Sequence, residues 1–178
     1  MTGSQEYSGC WQNMIDIDKY YDLVRKCFEE GNSSKNLRVI ETDHATMFQE
    51  DIFKLYWMAR VRFSSFVATV DEADEEIIQQ YTAMNMTLAR RSRSKIGELI
   101  CVISVIICDH VSDKIKAIAE TRPEKHTTSS EYLVIIDLSA REAYYYKGPI
   151  FYGILYEKFE REYIYGHFAL PLIALSKK

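Results

Sequence analysis

The stretch Leu99 to Cys108, LICVISVIIC, decides the fold. It is apolar on both faces, interrupted only by Ser104, and rich in β-branched residues. That composition suits a central strand covered by helices on two sides. The run is about half of the roughly 20 residues that a membrane-spanning helix needs. Gly97 opens it and Asp109-His110 follows it.

Working outward, the segment before it reads as a helix over Glu72 to Arg91. Ile77, Tyr81, Met84 and Leu88 recur at helical spacing and form one stripe. Asp71 is the expected N-cap. Acidic Glu72, Asp74, Glu75 and Glu76 fill the first turn, and Arg90, Arg91, Arg93 and Lys95 gather at the end, both complementing the helix dipole. On the other side, Ser112 caps a short helix carrying Ile115, Ile118 and Ala119, which ends before Pro123. Tyr132 to Ile136 is a second buried strand. Phe53 to Val70 has strand composition but is too long for one ordinary strand, so a break or hairpin is expected near Ser64-Ser65. Within it, Arg60, Arg62 and Ser64 alternate with Val61 and Phe63, as on a strand with one wet face. The order strand, helix, strand, helix, strand over residues 55–136 predicts two crossovers in a partly parallel sheet.

The flanks are less regular. Residues 1–13 read as a loose leader, and 14–178 as one domain. A helix capped by Asp18 runs to Glu30, with Tyr20, Val24 and Cys27 on one face, and stops at Gly31-Asn32-Ser33-Ser34. Leu37 to Glu41 is a short strand, and 44–51 is ambiguous. Glu124 to Ser130 reads as a polar loop. After a tight connection over Asp137 to Arg141, Glu142 to Tyr146 pairs back as a hairpin. Gly148-Pro149 opens a last helix. Beyond Tyr163 the pattern is unassigned, and Pro171 would confine any strand there to an edge. The predicted architecture is one α/β or α+β domain: a mixed, partly parallel sheet, helices on its faces, and a C-terminal hairpin plus helix.

The 178 residues are 47% hydrophobic and 27% charged, enough apolar chain to build a core. The net charge of −4 argues against a general nucleic-acid binder, since such proteins depend on cationic contacts to phosphates. No basic stretch followed by an apolar one opens the chain, so no secretory signal is expected. Cys10, Cys27, Cys101 and Cys108 form no Cys-x-x-Cys pair and read as thiols in a reducing, cytoplasmic setting, although their even count also permits disulfides.

Four groups of residues are candidate sites. Asp109 and His110 lie at the predicted carboxyl end of the central strand, where ligands bind in open α/β sheets. His can move protons near neutral pH, Asp can orient its ring, and Asp71 or Asp137 could reach the same edge. The plainer reading makes Asp109 and Ser112 turn and cap residues. Cys108 and His110, at i and i+2, could share a metal with His44, His126 or His167. Zinc sites need more close ligands than this, so no metal and no cofactor is predicted. Arg60, Arg62, Arg90, Arg91, Arg93 and Lys95 form a candidate anion patch, with dipole complementation as the plainer reading. Tyr144, Tyr146, Tyr152 and Tyr156 belong to a Tyr-rich C-terminal part that suits a dimer face or ordinary packing equally.

The phosphate-loop, dinucleotide, nucleophile-elbow and zinc-protease motifs are absent from the sequence. A nuclease-like reading meets the right coarse topology and the wrong chemistry, since Phe53 to Val70 carries no carboxylate to hold Mg²⁺. The leading expectation is a non-enzymatic, cytoplasmic interaction protein that self-associates, as a dimer, through its Tyr-rich part, with no membrane partner and no particular small molecule indicated. The alternatives are a small-ligand enzyme using Asp109 and His110, and a weak nucleic-acid or phosphate binder using the Arg cluster.

Overall fold

The computed structural model describes residues 15–30, 37–42, 45–54, 59–92, 99–126, 129–148 and 154–176. The central strand of the sheet is β4 (Leu99–Cys108), and every residue from Ile100 to Cys108 is buried. On one side it pairs in parallel with β3 (Ala59–Thr69), and on the other in parallel with β6 (Ser129–Asp137). The two crossovers are α2 (Glu75–Arg91) and α3 (Asp113–Ala119). The sheet extends from β3 through antiparallel β2 (Ala45–Lys54) to an antiparallel edge strand, β1 (Leu37–Glu41). Beyond β6, two three-residue strands share the far edge. β5 (Glu124–His126) pairs with the start of β6, and β7 (Glu142–Tyr144) pairs with its end. The result is a seven-stranded mixed sheet in an α/β arrangement.

Strand alternation sorts the side chains into two layers. One face carries Phe48, Val61, Phe63, Val67, Ile103, Val105, Val134 and Ile136. It is covered by α1 (Ile17–Glu30) and by a C-terminal helical layer of α4 (Ile154–Ile164), a π-helical turn (Tyr165–Ala169) and α5 (Leu170–Ser176). Phe28 of α1 stacks on Phe48 at 4.3 Å, and Tyr163 of α4 stacks on Phe63 at 4.0 Å. The opposite face carries Met47, Phe66, Ala68, Val102, Ile106 and Ile135 beneath α2 and α3. Full burial of one such large side chain contributes roughly 1.5–3 kcal/mol. No helix among the described residues is long and apolar enough to cross a membrane.

Several expectations change in detail. The Ser64-Ser65 break is absent. β3 runs through both residues, which are fully buried, because helices cover both faces and small hydroxyls fit there. Asp74, not Asp71, caps α2, accepting from Ile77 N at 2.7 Å. Asp16, not Asp18, caps α1 through the Asp18 N–H at 3.0 Å. The expected loop Glu124 to Ser130 instead supplies β5 and the start of β6. Residues 45–51 of the ambiguous region belong to β2, and the tail is helical from Tyr165 to Ser176. Pro171 explains the π turn. It has no N–H to give to the carbonyl four residues back, so the ladder widens just before it and Leu170 N–H meets Tyr165 O instead.

Candidate functional site

Asp109 and His110 occupy the turn between β4 and α3, and both side chains are exposed. Neither lines any of three surface grooves formed by described residues. Asp71 is also exposed, whereas Asp137 is fully buried and engaged. Its carboxylate accepts from Val111 N at 3.2 Å, Ser139 Oγ at 2.9 Å and Ala140 N at 2.8 Å. Those bonds tie the β4–α3 turn to the β6–β7 turn. Cys108 faces the interior, 3.8 Å from Ile136 O, while the His110 side chain is in solvent. Burial, with Asp137 and Asp109 nearby, pushes the Cys108 thiol up to about 11. Cys27, Cys101 and Cys108 are in no disulfide, and Cys10 lies outside the described residues. Among the described residues no group of three or more His, Cys, Asp or Glu side chains is placed to hold a metal.

The basic residues separate. Arg62 makes a forked pair with Asp51 across the β2–β3 ladder, at 2.7 and 2.9 Å, and donates to the Ser92 carbonyl at the end of α2. Gln49 donates to Ser92 Oγ at 2.7 Å, and that hydroxyl donates to Ala89 O at 2.8 Å. Arg62 is therefore a cap that fastens α2 to the sheet, since a planar fork satisfies a carboxylate and a carbonyl together. Arg60, Arg90 and Arg91 are exposed. Arg93 and Lys95 lie outside the described residues.

The sequence reading missed a buried polar belt beneath α4. Glu50 of β2 is 1% exposed and accepts from the Tyr163 phenol at 2.5 Å. His167 of the π turn places Nε2 3.7 Å from the same Glu50 oxygen, while its Nδ1 meets the Tyr163 carbonyl at 2.9 Å. Burial holds the Glu50 carboxyl above its ordinary range, although the Tyr163 bond opposes this. Burial also lowers His167. Farther along α4, fully buried Glu160 accepts from Ser130 Oγ, and from the Tyr132 phenol at 2.8 Å. Burial first, then Glu160, raises the Tyr132 phenol far above its usual value. Glu157, also buried, lies one turn earlier on α4. The groups could hold protons, but they line none of the three grooves. Their evident work is to seat the C-terminal layer on the sheet. Glu157, Glu160 and Glu162 on α4 read as a wet face by composition alone. Only Ser130 and Tyr132 on the opposing strand hint at buried partners.

The Tyr-rich part is where the surface opens. A groove of about 390 Å³ separates β7 from the C-terminal helical layer. Tyr144, Tyr145, Tyr165, Ala169, Leu172 and Ile173 supply its apolar lining, and Glu120, Glu142, Arg141 and Lys147 its charges. Tyr165 is 46% exposed and Leu170 48% exposed. The Leu170 N–H bonds to the Tyr165 carbonyl, so the two lie one above the other across the π turn. Lys116 sits over the Tyr144 ring at 5.1 Å, and Lys147 over Tyr145 at 4.9 Å. Tyr146 is half-buried against Gly148. Tyr152 and the side chain of Tyr156 lie outside the described residues.

Compared with known proteins, the chain matches no family model and no curated protein, so a functional reading rests on this geometry.

Proposed function

We propose that this protein is a non-enzymatic, cytoplasmic interaction module that self-associates as a dimer through the face formed by β7 and the π turn. The observation that carries the reading is the pairing of a partly apolar groove with the exposed side chains of Tyr165 and Leu170 beside it. Aromatic side chains with wet tips are favoured at interface centres. The groove also carries both signs of charge. A two-fold interface brings the same patch against itself, so Glu120 and Glu142 of one copy can meet Arg141 and Lys147 of the other. No comparable argument supports catalysis at Asp109 and His110, which are exposed and outside the grooves.

The test is light scattering and native mass spectrometry of the untagged full chain over a concentration series. The wild type is expected to form a dimer. A Tyr165→Glu/Leu170→Glu variant with unchanged circular dichroism is expected to weaken dimerisation more than about tenfold, or 1.4 kcal/mol. A wild type that stays monomeric at high concentration, or a folded variant that dimerises as tightly, overturns the proposal.

A further inference from the structure

The geometry points to a second docking surface, on the opposite face of the sheet, that receives an acidic amphipathic helix from a partner protein. The α3 crossover has only seven residues, too few to cover the start of β6. A groove of about 630 Å³ is left there. Its floor is Leu133 and Glu131 of β6. One wall is a single face of α2 running from Gln79 to Arg90, with Met86 at its centre, and the other is Ile118 with the Thr121-Arg122-Pro123 turn. The α2 wall is about three turns, or ~16 Å, long. Its small residues Thr82, Ala83 and Thr87 let a second helix approach closely.

Three features select the occupant. First, the backbone beside the groove offers only short templates for an added strand, since β5 and β7 have three residues each. β5 pairs with β6 through Glu131, and β7 pairs from Ile135 onward, which leaves only the outer edge of residues 132–134 between them. An incoming segment must therefore be held by side chains, as in helix-in-groove recognition. Second, the charge is one-sided. Arg90 and Arg122 are exposed at the groove and make no ion pair among the described residues. The acid on the floor, Glu131, is already engaged. Third, Arg90 is not needed to close its own helix. The end of α2 is satisfied by Ser92, whose N–H meets Leu88 O and whose hydroxyl meets Ala89 O, and by Arg62 on Ser92 O. Two available guanidinium groups around an apolar strip of half-buried Ile118 and Leu133, backed by buried Met86, complement a helix with an apolar stripe between acidic flanks.

The test uses the full chain and three fluorescent helical peptides of about 15 residues. They share one Leu stripe and carry Glu, Gln or Lys at the flanking positions. Anisotropy is expected to rank them Glu, then Gln, then Lys, with about tenfold between the first two. Arg90→Glu/Arg122→Glu is expected to reverse the Glu–Lys order. Ala83→Glu, at an exposed position of the α2 wall, is expected to weaken binding of the Glu and Gln peptides, and unchanged circular dichroism shows that both variants fold. If the double variant fails to fold, Arg90→Gln/Arg122→Gln is expected to remove the preference for Glu over Lys. A thymidine oligonucleotide is the remaining probe. Binding of it through Arg90 and Arg122, without peptide binding, would make the groove a nucleic-acid site and overturn the proposal. Equal binding of the Glu and Lys peptides, or no binding of either, overturns it as well.

Discussion

The Tyr163 phenol donates a 2.5 Å hydrogen bond to Glu50 Oε2, fastening the last turn of α4 to β2. His167 lies 3.7 Å from that same oxygen, so a carboxyl, a phenol and an imidazole titrate in one buried spot. Their shifts oppose each other. Glu50 is raised, so its contribution to stability is present below the unfolded carboxyl value, about 4.3, and is lost as pH rises through the folded value. His167 is lowered, so its contribution is present above about 6.5 and is lost as pH falls through its folded value.

Glu50→Gln separates the two. The amide oxygen still accepts from Tyr163, and no charge needs burying at neutral pH. The variant is expected to be more stable than the wild type at pH 7–8, with the gain shrinking towards pH 4, where Glu50 is protonated. Urea unfolding across this range checks it. A variant less stable at pH 8 than at pH 5, relative to wild type, would show that the Glu50 carboxylate is favoured in the fold.

Most of the sheet is legible in the sequence because its central strands leave no other reading. Leu99 to Cys108 and Tyr132 to Ile136 are too apolar for loops and too short for membrane helices. The C-terminal layer is not legible, for a specific reason. Glu157 and Glu160 point inward, and Pro171 interrupts the helical hydrogen bonding, so both the period and the polarity mislead. Arg62 misleads in another way. Its position on an alternating strand suggests a wet face, but the α2 crossover, a tertiary feature, covers that face and turns the Arg into a cap.

Asn85 shows how much depends on a single polar residue under α2. It is fully buried, donates to Ile103 O at 3.0 Å and Ser104 Oγ at 3.1 Å, and accepts from Ser64 Oγ at 3.4 Å. Asn85→Ala removes the amide that donates to Ser104 Oγ and Ile103 O, leaves the Ser64 hydroxyl to Met47 Sδ at 3.2 Å, and opens a cavity. The expected loss is about 2–4 kcal/mol in urea unfolding. Adding Ser64→Ala and Ser104→Ala is expected to return part of that loss, because removing all partners of a buried polar group costs less than removing one. A triple variant less stable than Asn85→Ala by the sum of two independent Ser→Ala losses would show that the three side chains do not act as one network.

Gly166 gives the opposite sign. It lies inside the π turn, and a Cβ built there meets nothing within 4 Å. A glycine within a helical segment costs stability through the freedom it loses on folding, roughly 0.5–1 kcal/mol relative to alanine. Gly166→Ala is therefore expected to raise stability by about that amount, which for a chain of this size is a Tm increase of roughly 1–4 °C. The neighbouring contacts make the result informative. Tyr163 and His167 reach Glu50 only while the turn keeps its widened path, and Tyr165 and Leu170 are stacked by that same widening. A gain in Tm with an unchanged pH profile would mean that Pro171 and the Glu50 contacts set the π turn, with glycine incidental. A loss would mean that the turn depends on the backbone freedom of Gly166, and the exposed Tyr165–Leu170 pair would depend on it too.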